Sequence, residues 1–92
     1  MTNNIMNELI VWKVVVGRNC KTREMEMILL YENGTWEKLF NFTRYTPYAA
    51  SLSENPKLIG KTRDEFRHHV ESLCYNGIII GIFCDENAVK RV

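Results

Sequence analysis

The dipeptide Asn33-Gly34 constrains this chain more than any other feature, because it lies between two runs of strand-forming residues. Asn-Gly in that setting is the strongest short-range signal for a β-hairpin, since a type I′ turn needs a positive φ at both central residues. The sequence therefore predicts two antiparallel strands, over residues 24–31 and 35–43, joined by a type I′ turn.

The predicted turn also sets which side chains of the hairpin point the same way. It places Met27 opposite Phe40 and Met25 opposite Phe42. Because side chains alternate between the two sides of a strand, nearly every large side chain of the hairpin then lies on one side, the predicted core face. The remaining pairs predicted on this face are Tyr31 with Trp36 and Leu29 with Lys38.

A third predicted strand precedes this hairpin, over residues 10–17, which form a β-branched run ending in Gly17. A four-residue loop over residues 19–22 joins it to the next strand and pairs Arg18 with Arg23. This register turns the bulky positions of the strand toward the core face. Those positions are Trp12, Val14 and Val16.

A helix is predicted after Thr62, because Thr62 and Glu65 have the spacing of a capping box. Asn76-Gly77 ends it, since glycine suits the left-handed conformation that follows a helix. Between these ends the apolar residues follow helical spacing. They are Phe66, Val70, Leu73 and Cys74.

Residues 78–84 predict a fourth strand that is continuously apolar and therefore buried on both faces. Residues 44–60, with Pro47 and Pro56, predict a long loop. The fold class is thus α+β: one domain over residues 1–92, with an antiparallel sheet of about four strands in the order β-β-β-α-β. One helix packs on one face of the sheet in a two-layer sandwich.

Composition limits the functions available to such a domain. The net charge is +1, which argues against a protein that holds nucleic acid mainly by bulk charge. No apolar run has the length of a membrane span, and the N-terminus lacks the pattern of a signal peptide, so we expect a cytoplasmic protein. Three widely spaced cysteines (Cys20, Cys74 and Cys84) indicate reduced thiols and no zinc site. We expect no cofactor and no bound metal.

Catalytic motifs are absent from the sequence, so we predict a non-enzymatic protein. The nearest candidates for catalysis are His68 and His69, which are adjacent on the predicted helix and therefore diverge by about 100°. A nucleophile pair of Cys74 with His69 would also diverge too far. A small enzyme that depends on His68 and His69 stays as an alternative.

Basic residues form two groups. The first group surrounds the loop at residues 19–22 and could bind an anion or a phosphate; its members are Arg18, Lys21 and Arg23. Arg44 adds a further basic residue beside the loop that carries Tyr45 and Tyr48. An arginine with two tyrosines is typical both of protein-binding hot spots and of base stacking. Binding of nucleic acid or nucleotides is therefore an alternative function. The second group is interleaved with acids and indicates a solvated helix face; its members are Lys57, Lys61, Arg63 and Arg67.

The side of the sheet opposite the predicted core face is apolar with a charged rim of Lys13, Glu26 and Glu37. One helix cannot cover both sides of a sheet, and a polar-rimmed apolar patch marks a partner site or a homodimer interface. The predicted contact residues are Val11, Lys13, Ile28, Leu30 and Leu39, together with Tyr45 and Tyr48. The chain's own ends could instead cover this side, through Ile5, Met6, Leu9, Ala88, Val89 and Val92.

These observations favour a small protein-binding domain that acts by occluding a surface. In size, charge balance and lack of motifs the chain is similar to accessory proteins of phages and mobile elements, including anti-defence inhibitors of larger host enzymes. That similarity is one of profile alone, without matched residues. It implies a protein partner or self-association, and a host cytoplasm as the location if the source is viral.

Overall fold

The computed structural model describes residues 9–44, 47–84 and 89–91. The strands are β1 (Val11–Arg18), β2 (Met25–Tyr31), β3 (Thr35–Arg44), β4 (Ile80–Phe83) and β5 (Lys90–Arg91). The helices are α1 (Pro47–Ser51) and α2 (Arg63–Tyr75), with short 3-10 helices at Leu52–Glu54 and Pro56–Leu58 between them.

The sheet is antiparallel with the order β1-β2-β3-β4, and β5 pairs with β3 near the start of that strand. Helix α2 buries Phe66, Val70 and Leu73 in the same core cluster as the inward side chains of the sheet. The predicted α+β fold with one main helix is therefore confirmed. Thr62 accepts from the Glu65 backbone N–H while Glu65 accepts from that of Thr62, so the predicted capping box is present.

The hairpin between β2 and β3 forms, but its turn is wider than predicted. Gly34 has φ +89°, whereas Asn33 has no positive φ, so the turn is not type I′. The Gly34 N–H donates to the Tyr31 carbonyl at 3.0 Å, and residues 32–34 form the loop. Asn33 Oδ1 instead accepts from the backbone and hydroxyl of Thr35. A turn with glycine alone in the left-handed region matches the common three-residue hairpin loop.

The wider turn shifts the register of the hairpin by one residue, and a β-bulge restores it further along. Met27 lies opposite Phe40, as predicted, but Ile28 lies opposite Lys38 because Leu39 is an extra residue. A shift of one residue turns side chains to the other side of a sheet. Between the turn and the bulge the predicted facing is therefore reversed. Trp36 and Lys38 point away from the core, and Glu37 points into it.

The register of the first hairpin, between β1 and β2, differs from its prediction by two residues. Arg18 lies opposite Met25 and not opposite Arg23, because Asn19 pairs with Glu24 across the loop. The displacement is even, so Val14 faces the core as predicted. A bulge at Trp12 breaks the alternation: Trp12, predicted in the core, is exposed, and Val11 is buried.

Strand β4 differs most from its prediction, because it is exposed on one side. Ile79 is buried just before the strand, but Ile80 is 44% exposed and Ile82 is 69% exposed. Helix α2 covers the core face alone, so the outward isoleucines have no cover among the described residues. Residues 44–60, predicted as a loop, contain α1 and both 3-10 helices, which bury Leu52 and Leu58.

Candidate binding surface

The outward side of the sheet, which we call the second face, consists of three cross-strand rows. The first row is Lys13, Leu30 and Trp36; the second is Val15, Ile28 and Lys38; the third is Gly17, Glu26, Asn41 and Ile82. The second face is more apolar toward its centre and more basic toward the β1 side. It lies opposite the layer that contains α2.

Two of the predicted contact residues lie elsewhere. Val11 and Leu39 are fully buried in the core, so neither can contact a partner, and the prediction for both is wrong. The bulges at Trp12 and Leu39 are the reason, because each reverses the alternation on which the prediction rested. Glu37, predicted on the rim, is buried for the same reason.

Three of the predicted contact residues, Lys13, Ile28 and Leu30, do share the second face. Tyr48 is 40% exposed in α1 and does not line the grooves of that face. Tyr45 lies outside the described residues. The surface is therefore built from the strands, with no described contribution from the tyrosine loop.

The chain's own ends were predicted as alternative cover for this side. Leu9 is buried in the core cluster, and Val89 packs against that cluster. The other four residues predicted to act as cover lie outside the described residues; they are Ile5, Met6, Ala88 and Val92. Leu9 and Val89 thus stabilise the inner layer.

Two adjoining grooves cross the second face. The larger has a volume of about 520 Å³ and runs from Val15 and Ile28 to the first hairpin loop. The smaller, about 270 Å³, extends the same depression to Trp36 and Lys38. Asn19, Glu26 and Ile28 line both grooves, so the two are parts of one shallow channel.

The buried carboxylate of Glu26 lies where the two grooves of this channel meet. Glu26 is 6% exposed and accepts from Lys38 Nζ and from Asn19 Nδ2, each at 3.2 Å. The hydrogen bond to Glu26 raises the pKa of Lys38, so the lysine stays charged and neutralises the carboxylate. Among the described residues Glu26 is the one acid that lines the grooves, whereas Arg18 and Lys21 of the larger groove are both exposed.

The predicted anion-binding residues lie at one end of the sheet. Arg18, Lys21 and Arg23 are exposed in the first hairpin, and Arg18 Nη1 donates to the Arg23 carbonyl at 2.8 Å. Asn19 Oδ1 accepts from the backbone of Lys21 and of Thr22, which orders the loop. Arg44 is exposed at the same end, beyond the row that contains Arg18, Met25 and Phe42.

Trp36, Lys38, Val15 and the isoleucines of β4 belong to the surface but were not among its predicted contact residues. The reversal of Trp36 and Lys38 had one available signal: a charged Lys38 is a poor choice for a core position. The exposure of Ile80 and Ile82 had no signal in the sequence, because the run around them is uniformly apolar.

The two histidines lie in different surroundings on α2. His68 is exposed, with Nδ1 3.4 Å from Glu71, whereas His69 is partly buried and its Nε2 has no hydrogen-bond partner among the described residues. Burial and then the nearby Lys61 charge lower the pKa of His69. Burial, and to a lesser degree Glu71, raises the pKa of the Cys74 thiol, which disfavours its nucleophilic form.

The second basic group also separates in the structure. Arg67 lies 3.5 Å from Glu71, as expected for a solvated helix face, and 4.2 Å from the Phe83 ring centroid. Arg63 leaves that face and contacts the buried Glu37, a role that the sequence did not indicate.

Family models, curated proteins and solved structures give no match to this chain. Within residues 9–44, 47–84 and 89–91, no three metal-ligating side chains cluster. In the same part of the chain, no helix has both the length and the apolar character needed to cross a membrane.

Proposed function

We propose that this chain is a non-enzymatic protein-binding domain that holds an acidic, apolar segment of its partner on the second face. One observation supports the proposal: an apolar strip with a channel, which no described residue covers, crosses a sheet face whose rim is basic. Val15, Ile28 and Leu30 supply the apolar area, and Trp36 supplies the large side chain typical of interface anchors.

The charges around the strip favour an acidic partner. Lys13 and Arg18 lie on either side of Val15 along β1, and both are exposed. Glu26 is the acid at the centre, and its pairing with Lys38 removes most of its repulsion for an approaching anion. Complementary charge of this kind speeds association and rejects basic partners.

The same face fits a protein better than a nucleic acid. Proteins that hold single strands use several aromatic side chains on which successive bases stack. Here Trp36 is the one aromatic side chain among the described residues that line the channel. Occlusion of a larger enzyme by this face stays a prediction.

A random peptide library displayed on particles tests the proposal directly. We expect selection on the wild-type domain to enrich peptides in which Asp or Glu flanks Leu, Phe or Trp. Val15→Glu adds an acid to an exposed position in the channel, so we expect it to lose these peptides. Ile59→Glu changes the charge equally at a 45% exposed isoleucine outside the channel, so we expect it to retain them.

Two results would contradict the proposal. One is enrichment of peptides that bind Val15→Glu and wild type equally, because the contact would then lie off the second face. The other is stronger binding of an oligothymidylate strand than of any selected peptide, with an affinity that falls steeply as salt rises. That outcome would support nucleic-acid binding instead.

A further inference from the structure

The two edge strands of the sheet are protected very differently. β1 forms one edge, and the segment before α2 covers its first residues: the Val11 N–H donates to the Lys61 carbonyl at 2.9 Å, and Gly60 donates to Val11 at 2.8 Å. The rest of β1 carries Lys13, Arg18 and the bulge at Trp12. Coverage, charge and bulges are the means by which monomeric proteins prevent edge-to-edge pairing.

Strand β4 forms the opposite edge, and within the part of the chain that the structure describes it has none of these protections. It pairs with β3 on one side, and no described strand lies on its other side. The sequence from Asn76 to Cys84 contains no charged residue and no proline. The pairing of β3 with β4 contains one register shift, which lies at Thr43 on β3. Strand β4 itself therefore runs without a bulge.

The outward side chains of β4 are also unusually apolar for a free edge. Ile80 is 44% and Ile82 is 69% exposed, and both lie on the second face. Ile78 is exposed just before the strand. An uncharged, flat and apolar edge is a template for pairing with another strand, and its main chain would supply donors and acceptors along with the side chains.

We propose that β4 is the homodimer interface of this protein, with the β4 strands of two copies pairing antiparallel about a two-fold axis. A two-fold interface brings a surface against itself, so it must be self-complementary. The uncharged β4 edge meets this condition, whereas the basic second face would bring like charges together if two copies stacked through it. The charge pattern therefore favours a second copy paired through this edge over two copies stacked through their second faces.

The proposed geometry makes one continuous sheet. A two-fold axis perpendicular to the sheet keeps the second face on the same side in both copies. With the axis at Gly81, Ile80 of each copy lies opposite Ile82 of the other copy, at the distance of cross-strand pairs. The channel of each copy stays open on that side. The inference therefore goes beyond the proposed function and stands if that function fails.

Molar mass in solution tests the dimer. We expect light scattering after size exclusion to give twice the chain mass at micromolar concentrations, with dissociation on dilution. Ile82→Lys places a charge on the edge at a position that is already mostly exposed, so the fold should be retained and the dimer dissociation constant should rise at least tenfold. Ile59→Lys and Val15→Glu, both away from β4, should leave the dimer intact.

Amide hydrogen exchange gives a second readout that a folding defect could not imitate. We expect the amides of β4 to be protected in the wild-type dimer and to exchange faster in Ile82→Lys, while the amides of β2 keep their protection in both. A wild-type chain that stays monomeric at high concentration would overturn the proposal. So would a dimer that survives Ile82→Lys, or one that Val15→Glu dissociates.

Discussion

Arg63 donates from Nε and Nη2 to the carboxylate of Glu37, the second of these bonds at 3.1 Å, and so ties the first turn of α2 to β3. Glu37 is 2% exposed and also accepts from the Tyr31 hydroxyl. Burial, and then the bond to Glu37, raises the pKa of Tyr31 far above its usual range, so the phenol remains a donor. The three side chains form a buried polar network that holds the helix on the sheet.

Loss of the Arg63 charge should destabilise the fold strongly. Arg63→Met leaves the Glu37 carboxylate buried without its countercharge, which costs about 3–5 kcal/mol when a buried pair is broken from one side. Urea unfolding followed by circular dichroism measures the change. Glu71→Gln is the control, because Glu71 is half-exposed and its partner Arg67 lies 3.5 Å away, so a change below about 1 kcal/mol is expected. Equal effects of the two substitutions would show that the buried network stabilises the fold no more than an exposed ion pair does.

The turn at residues 32–34 predicts that two substitutions at Asn33 differ in their effect on stability. In a type I′ turn, Asn33→Gly would be tolerated or stabilising, since glycine favours positive φ. In the observed turn Asn33 has no positive φ and bonds Thr35, so Asn33→Gly should destabilise by about 1 kcal/mol. Asn33→Asp keeps the acceptor and should be nearly neutral. Thermal melts of the two variants distinguish the turns, and a stabilised Asn33→Gly would contradict the observed one.

Gly81 is required by a close approach between strands. A Cβ at this position would overlap the Asn41 carbonyl and lie 2.7 Å from Cζ of Phe40. Gly81→Ala should therefore destabilise the fold by about 1–3 kcal/mol, since the core must shift to admit the methyl group. Gly17→Ala adds a methyl where no atom lies within 4 Å, so it serves as the matched control and should change the unfolding midpoint little. A harmless Gly81→Ala would mean that β4 packs less closely on β3.

His69 should make part of the stability depend on pH. Burial and the Lys61 charge lower its pKa below the ordinary value of 6.5, so the unfolded chain binds more protons just below that pH. The free energy of unfolding should therefore fall as pH decreases from about 6.5 toward the folded-state pKa, and level off beneath it. Unfolding curves between pH 4.5 and pH 8, roughly the range of histidine titration, measure the fall.

Two substitutions isolate this contribution. His69→Gln removes the titrating group, so its stability should depend less on pH in that window. His68→Gln removes an exposed histidine with a side-chain exposure of 83% and should leave the dependence unchanged. If both variants follow the wild-type curve, the acid sensitivity belongs to the carboxylates.

Local features of the chain were predictable because their causes are local. The capping box joins Thr62 to Glu65 within one helical turn, and the left-handed residues at Gly34 and Gly77 follow from glycine's lack of a Cβ. The register of the first hairpin differs from its prediction by an even number of residues, so Val14 and Val16 still face the core as predicted. Each of these outcomes depends on residues a few positions apart.

The candidate surface was only half predictable, because it depends on two bulges. Period-two alternation assigns a side to every residue of a strand, and one extra residue reverses the assignment beyond it. Because of the reversal at Leu39, Trp36 and Lys38 lie on the second face, where Glu37 was predicted, and Glu37 lies in the core. Burial of Glu37 is tolerated because Arg63, twenty-six positions along the chain, supplies the countercharge. No pattern near Glu37 could indicate that partner.

By itself, the sequence determined the strands, the helix, their order and the inward face of β2, since propensity, capping and alternation act between near neighbours. Tertiary structure alone decided that Val11 and Leu39 enter the core, that Trp36 and Lys38 leave it, and that no described residue covers Ile80 and Ile82 of β4. These outcomes depend on contacts between distant segments: residues 60–63 with β1, Arg63 with Glu37, and a helix layer that covers one face of the sheet. Such contacts exist only once the chain has folded, so local chemistry cannot specify them.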